Sequence, residues 1–228
     1  MRPQALGHRP ASPFELLILD CDGVVVDSEP ITIRVLTEML VELGASLSLD
    51  EAARRFTGQT FAHTLELIAE LLGAPLPRDF TAEYRSRTYA ALEKELKPVE
   101  GIGQALDRIR IPYCVASNGP HQKMRKTLGI TSLLPRFEGR MFSSDDVARG
   151  KPYPDLFLHA ASRFSVPPSA CLVVEDSASG IAAALAAGMT IYGYSGNEAE
   201  VEEKLLAAGA HRVFNDMREL PALAAGVQ

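Results

Sequence analysis

Several short apolar runs of this chain end in residues that can do chemistry. The run Leu16–Leu19 leads into Asp20, Cys21 and Asp22. "PYCVA" leads into Ser117, Asn118 and Gly119, and "RMFSS" is followed by Asp145, Asp146 and then Lys151-Pro152. "ACLVV" leads into Glu175 and Asp176, then Ser177 and Gly180. Buried charge is costly unless it is paired, hydrogen-bonded or metal-bound, so acids at the end of an apolar run mark a polar site. Asp20, Asp22, Asp176 and Glu175, brought together, would raise one another's pKa. A hard divalent cation relieves that repulsion, and Mg²⁺ binds through one or two carboxylates while keeping waters and a substrate phosphate. Lys151 offers positive charge to phosphate oxygens, while a serine hydroxyl and turn amides offer donors. The set suits a phosphoryl group beside Mg²⁺, with a carboxylate placed to attack it. Singly, each piece also reads as a turn, a solvated loop or a helix cap. Their recurrence at successive strand ends is what favours a site.

The elements needed to position these groups are visible in the pattern. "FELLIL", "IPYCVA", "GRMFSS", "ACLVVE", "MTIYGY" and "HRVFN" read as strands, and helix-like stretches at 103–110, 120–129, 153–164, 178–187 and 198–208 fall among them. Alternating strands and helices predict an α/β fold with a doubly wound, Rossmann-like parallel sheet. Such sheets bind ligands beyond the carboxyl ends of their strands, where all these polar groups would meet. Residues 32–95 break the rhythm: Ile33, Leu36, Leu40 and Leu43 have helical spacing, as do Leu65, Ile68 and Leu72. The expected division is a core of residues 1–31 and 96–228 and an inserted, all-helical cap of 32–95.

Composition narrows the function classes. The 228 residues carry a formal net charge of −6 and no long Lys/Arg cluster, which argues against nucleic acid and anionic membranes as partners. No apolar run approaches the ~18 residues of a membrane span. The opening "MRPQALGHRPASP" has no apolar signal region and reads as a loose tail, so a cytoplasmic location is expected. The expected partner is a small phosphorylated metabolite. The sequence leaves oligomeric state open, with a monomer compatible. Cys21, Cys114 and Cys171 read as reduced, buried thiols, and a Cys21 thiolate between two carboxylates would have a raised pKa unsuited to nucleophilic attack. The five histidines show no paired spacing for zinc.

The motifs "DCDGVVVDSE", "VASNG", "GKPYPDLF" and "VVEDSASGIAAALAAGM", in this order, resemble those of the haloacid dehalogenase superfamily. The helical insert sits where its members with a C1 cap carry theirs, and finer features resemble bacterial sugar-acid phosphatases. The resemblance implies that Asp20 attacks phosphorus to form an aspartyl-phosphate, and that Asp22 protonates the leaving alcohol and then deprotonates water. It implies Mg²⁺ held by the Asp20 and Asp176 side chains and the Asp22 carbonyl, with Glu175 acting directly or through a water. Ser117 and the Asn118 amide would hold phosphate oxygens, and Lys151 would neutralise charge beside Asp20. Cys21 joins the expected phosphate-binding set by its place between the aspartates, its thiol read as packing. Asp27 and Glu29 are read as hinge hydrogen-bonding groups where the chain leaves for the cap.

Particular residues separate the relatives. Dehalogenases of the superfamily carry an aromatic residue where Asp22 stands. Phosphonoacetaldehyde hydrolases need a cap lysine, and residues 32–93 contain none. β-Phosphoglucomutases carry a Lys before the cap-loop glycine and an Arg three residues after it, and a His early in the cap. Around Gly58 this chain has Thr57 and Phe61, and Thr32 stands where that His is expected. The expected function is therefore Mg²⁺-dependent hydrolysis of a small sugar or sugar-acid phosphate. The alternatives are a phosphosugar mutase and a non-catalytic phosphometabolite-binding protein. Substrate choice is expected in the cap, with Arg54 and Arg55 as candidates for a substrate carboxylate, set against the plain reading of both as solvated helix residues.

Overall fold

The structure is a computed structural model and describes residues 12–57, 61–196 and 199–227. The loop at Gly58 and most of the N-terminal stretch lie outside the described residues. Where that stretch is described it is tied down: Ser12 Oγ donates to the Ala224 carbonyl at 2.7 Å.

The strands are β1 (Leu16–Leu19), β2 (Tyr113–Ser117), β3 (Met141–Ser143), β4 (Cys171–Glu175), β5 (Thr190–Tyr194) and β6 (Arg212–Phe214). They pair in parallel in the order β3-β2-β1-β4-β5-β6. The chain fills one side of β1, then returns to fill the other, so strand order reverses at β1. Crevices form at such switch points. The register Leu19↔Val174 sets Asp20 beside Glu175 there.

Successive β1 side chains point to opposite faces of the sheet. Leu17 and Leu19 join a core with Ile102, Met124 and Leu128, while Leu16 and Ile18 join one with Phe157 and Ile181. Both faces are covered, so every β1 position is apolar and fully buried. Each such side chain contributes roughly 1.5–3 kcal/mol relative to exposure.

The insertion comprises α1 (Glu29–Glu42), α2 (Leu49–Phe56), α3 (Phe61–Leu72) and α4 (Phe80–Glu95). It has its own core, centred on Leu36, Leu40, Phe56, Ile68 and Phe80. Pro30 in the first turn suits the start of α1, because its missing N–H would have no partner there. Ser48 and Glu51 form a reciprocal cap on α2. The chain segments entering and leaving the insertion pair with each other. Asp27 N–H donates to the Lys97 carbonyl (3.0 Å), and Val99 N–H to the Val25 carbonyl (3.0 Å).

The core helices are α5 (Ile102–Arg108), α6 (His121–Ile130), α7 (Leu134–Phe137), α8 (Asp155–Phe164), α9 (Ala178–Ala186), α10 (Ala199–Ala207) and α11 (Leu220–Ala224). Among the described residues, no helix is long and apolar enough to cross a membrane.

Candidate active site

Asp20 follows β1 directly and is nearly buried, its N–H held by the Val174 carbonyl at 2.9 Å. Lys151 arrives from the loop after β3, and its ammonium bonds Asp20 Oδ1, Glu175 Oε1 (2.6 Å) and the Ala116 carbonyl (2.8 Å). All three ammonium donors are therefore used inside the protein. Burial lowers the Lys151 pKa, but the Asp20 and Glu175 charges more than offset this and hold it above its ordinary 10.5. The other Glu175 oxygen, Oε2, accepts from Asp176 N–H, Ser177 N–H and Ser177 Oγ at 3.2, 3.2 and 2.8 Å. Glu175 thus ties Lys151 to the N-terminus of α9.

The acids strain against one another. Burial pushes the Asp20 carboxyl from 3.8 to about 7; Lys151 opposes the rise, and Glu175 and Asp22 add to it. Burial likewise pushes Asp176 well above 3.8, with Glu29, Asp20 and Glu175 contributing. Oxygens of Asp20, Glu175 and Asp176 lie within 4.8 Å of one another. The sequence makes room for them. Gly23 has φ +81°, and a Cβ there would stand 1.7 Å from Asp176 Oδ2; a Cβ on Gly180 would stand 1.9 Å from the Glu175 carboxyl carbon. The Asp176 carboxylate takes no hydrogen bond among the described residues. A cluster with one unpartnered acid and only one committed lysine fits a hard divalent cation.

Asp22 is arranged differently. Ser28 Oγ donates to its Oδ1 (2.7 Å) and Lys123 Nζ to its Oδ2 (2.8 Å). Burial opposes its ionisation, but the Lys123 charge and these hydrogen bonds override that and hold the carboxyl below its ordinary 3.8. Lys123 and Ser28 are site residues that the sequence reading did not single out. Lys123 stands 101 positions from Asp22 on a helix whose pattern gives it no special place.

The remaining expected residues divide. Ser117 is buried, and its Oγ accepts from Gly119 N–H at 3.0 Å, which leaves the hydroxyl hydrogen available. The Asn118 side chain is engaged elsewhere than in a ligand site: its Oδ1 accepts from Lys151 N–H (2.8 Å) and its Nδ2 donates to the Lys151 carbonyl (3.0 Å). A Cβ on Gly150 would stand 2.5 Å from that Oδ1, so the close approach needs glycine. The Cys21 thiol is buried. Burial, Asp22 and Asp20 push it well above 9.0, the opposite of a nucleophile's requirement. Asp27 pairs through its backbone at the tether, whereas Glu29 lies close enough for its charge to act on Asp176. Arg54 is exposed and Arg55 half-buried in the last turn of α2, and neither forms a hydrogen bond or salt bridge among the described residues. Phe61, where a mutase would carry Arg, stacks on Tyr84 of α4 at 5.8 Å.

Fold and cleft together define an α/β core with a helical insertion and an acid-lined site at the strand-order switch. Residues 14–188 match the model of haloacid dehalogenase-like hydrolases, and the chain belongs to that family. It is 32% identical over 213 residues to the 6-phosphogluconate phosphatase of Escherichia coli, covering 93% of this chain and 95% of that protein. A haloacid dehalogenase-like protein of unknown function from Agrobacterium tumefaciens superposes with a TM-score of 0.87 at 36% identity, covering 93% of this chain and 98% of that one. A family hydrolase from Deinococcus radiodurans, solved with bound phosphate and sodium, superposes with a TM-score of 0.80 at 33% identity, covering 95% and 97%.

Proposed function

We propose that the chain is a Mg²⁺-dependent phosphatase acting on a small phosphorylated sugar or sugar acid through an aspartyl-phosphate on Asp20. The observation that carries this is the buried Lys151 ammonium locked between Asp20 and Glu175 beside the unpartnered Asp176 carboxylate. It fixes one carboxylate as an oriented nucleophile and leaves another to a cation.

An Asp20 oxygen attacks phosphorus, the ester bond breaks, and the leaving oxygen takes a proton from Asp22. Asp22 then removes a proton from water as that water attacks phosphorus, and the bond to Asp20 breaks, releasing phosphate and restoring both acids. Lys123 favours the ionised form of Asp22, the form needed for the second step. The first step requires a proton on Asp22, which the negative charge of an arriving phosphate favours. Ser117 Oγ–H and the Asn118 amide orient the phosphoryl oxygens. Lys151 stabilises charge developing beside Asp20, the effect on which phosphoryl transfer most depends. Mg²⁺ would be held by Asp20, Asp176 and the Asp22 carbonyl, with Glu175 directly or through a water, and would supply positive charge to the phosphoryl oxygens.

The paired tethers at 25–27 and 97–99 serve as a hinge for cap closure over a small substrate. The test is phosphate release from a panel of sugar phosphates with Mg²⁺, with a phosphopeptide and β-glucose 1-phosphate included. Release from sugar phosphates well above the phosphopeptide supports the reading. Isomerisation of β-glucose 1-phosphate faster than any phosphate release would replace it with the mutase.

A further inference from the structure

We infer that Lys123 is a specificity-determining residue that binds a carboxylate on the leaving group, so that the preferred substrate is the phosphate ester of an acid sugar. This rests on the phosphatase reading and deepens it.

Two lysines reach the cleft, and their donors are used differently. Lys151 spends all three on Asp20, Glu175 and the Ala116 carbonyl, and its side chain is 3% exposed. Lys123 spends one, on Asp22 Oδ2 at 2.8 Å, and its side chain is 24% exposed. An ammonium carries three N–H donors, so among the described residues two have no hydrogen-bond partner.

The position of those donors identifies what they would meet. Asp22 is the group that serves the ester oxygen. Lys123, bound to Asp22 Oδ2, therefore stands next to the group that meets the leaving oxygen. Tyr84 of the insertion is close enough for the Lys123 charge to act on its hydroxyl, which places the ammonium at the seam between core and insertion. The backbone opens a path for it: a Cβ on Gly119 would stand 3.3 Å from Lys123 Cδ and 3.3 Å from Ser117 Oγ.

The sign and size of the ligand charge follow from the neighbours. Lys123 is already balanced by Asp22, and one further negative charge completes its remaining donors. A dianionic second phosphate would instead face the Asp22 carboxylate across the same ammonium. A carboxylate carries a single charge, which the Lys123 ammonium meets as a compact point charge through its remaining N–H donors.

The test measures phosphate-release kinetics with Mg²⁺ for wild type, Lys123→Met, Lys123→Gln and Lys123→Arg. The esters are 6-phosphogluconate (acid), glucose 6-phosphate and sorbitol 6-phosphate (neutral), and fructose 1,6-bisphosphate. The expected result is a wild-type preference for the acid ester. Lys123→Met should raise its KM about 10- to 100-fold, the worth of one charge-assisted hydrogen bond. All the esters lose kcat because Asp22 loses a partner, but the KM of the neutral esters should change less than about twofold, and Lys123→Arg should recover most of the lost acid preference. Lys123→Gln gives the same comparison if Lys123→Met does not fold. Equal losses of kcat on acid and neutral esters with KM unchanged would overturn the inference and leave Lys123 as a positioning residue for Asp22. A bisphosphate preferred over the acid ester, with the same dependence on Lys123, would overturn the carboxylate assignment. No phosphate release by wild type from any ester would overturn the phosphatase reading, and this inference with it.

Discussion

Replacing Asp20 by Asn should stabilise the metal-free protein above neutral pH. Burial pushes the Asp20 carboxyl from 3.8 to about 7, Lys151 opposing and Glu175 and Asp22 assisting. The folded state then holds this proton more tightly than the unfolded chain. Its stabilising contribution is complete below about pH 4 and is lost as pH rises through about 7. A rise of roughly 3 pH units at 1.36 kcal/mol each sets an upper bound of about 4 kcal/mol by about pH 8. Near pH 4.5 the same reasoning leaves about 1 kcal/mol. Asn resembles the protonated acid in shape and carries no charge, while Lys151 keeps Glu175 and the Ala116 carbonyl. At about 2–4 °C per kcal/mol for a chain of this size, the gain in melting temperature is bounded by ~8–16 °C near pH 8 and by ~2–4 °C near pH 4.5. The assay is thermal unfolding in a chelator across that range, followed by circular dichroism. A gain that does not grow with pH, or an Asp20→Asn variant less stable than wild type near pH 8, would refute the reasoning.

Other outcomes follow from the same cluster. Added Mg²⁺ should raise the melting temperature of wild type more near pH 8 than near pH 5.5, because the raised Asp20 and Asp176 carboxyls must shed protons to bind it; a scan of both conditions checks this. Lys151→Met should cost about 3–5 kcal/mol in urea unfolding near pH 8, and less in acid, since it leaves Asp20 and Glu175 buried without their cation. Gly180→Ala should destabilise by about 1–3 kcal/mol in the same assay, because its Cβ would meet a Glu175 carboxylate that Lys151 and Ser177 hold in place.

Much of this was legible in the chain. β1, β2 and β4 could be read because strands covered on both faces must be apolar throughout, so Asp20, Ser117 and Glu175 stand out where the apolar run stops. The insertion showed itself through helical spacing in Leu36, Leu40 and Ile68, which do form its core. Lys123 was not legible, because its meaning depends on a contact between α6 and the loop after β1 that local pattern does not encode. Nor was the Asn118 side chain's grip on Lys151, since loop-to-loop hydrogen bonds leave no periodic trace. The position of Glu29 suggests a hinge group, and in the fold its charge also acts on Asp176. α7 and α11 span only Leu134–Phe137 and Leu220–Ala224, too short for spacing to declare them.

The central claim is that Asp20 becomes phosphorylated. Mixing the enzyme with Mg²⁺ and its best sugar phosphate, quenching in acid within the first turnover and mapping peptides by mass spectrometry tests this directly. The account predicts one phosphoryl group on the peptide that contains Asp20, lost on return to neutral buffer and absent from Asp20→Asn. Phosphate release at an undiminished rate from Asp20→Asn, or a phosphoryl group on any other residue, would contradict it.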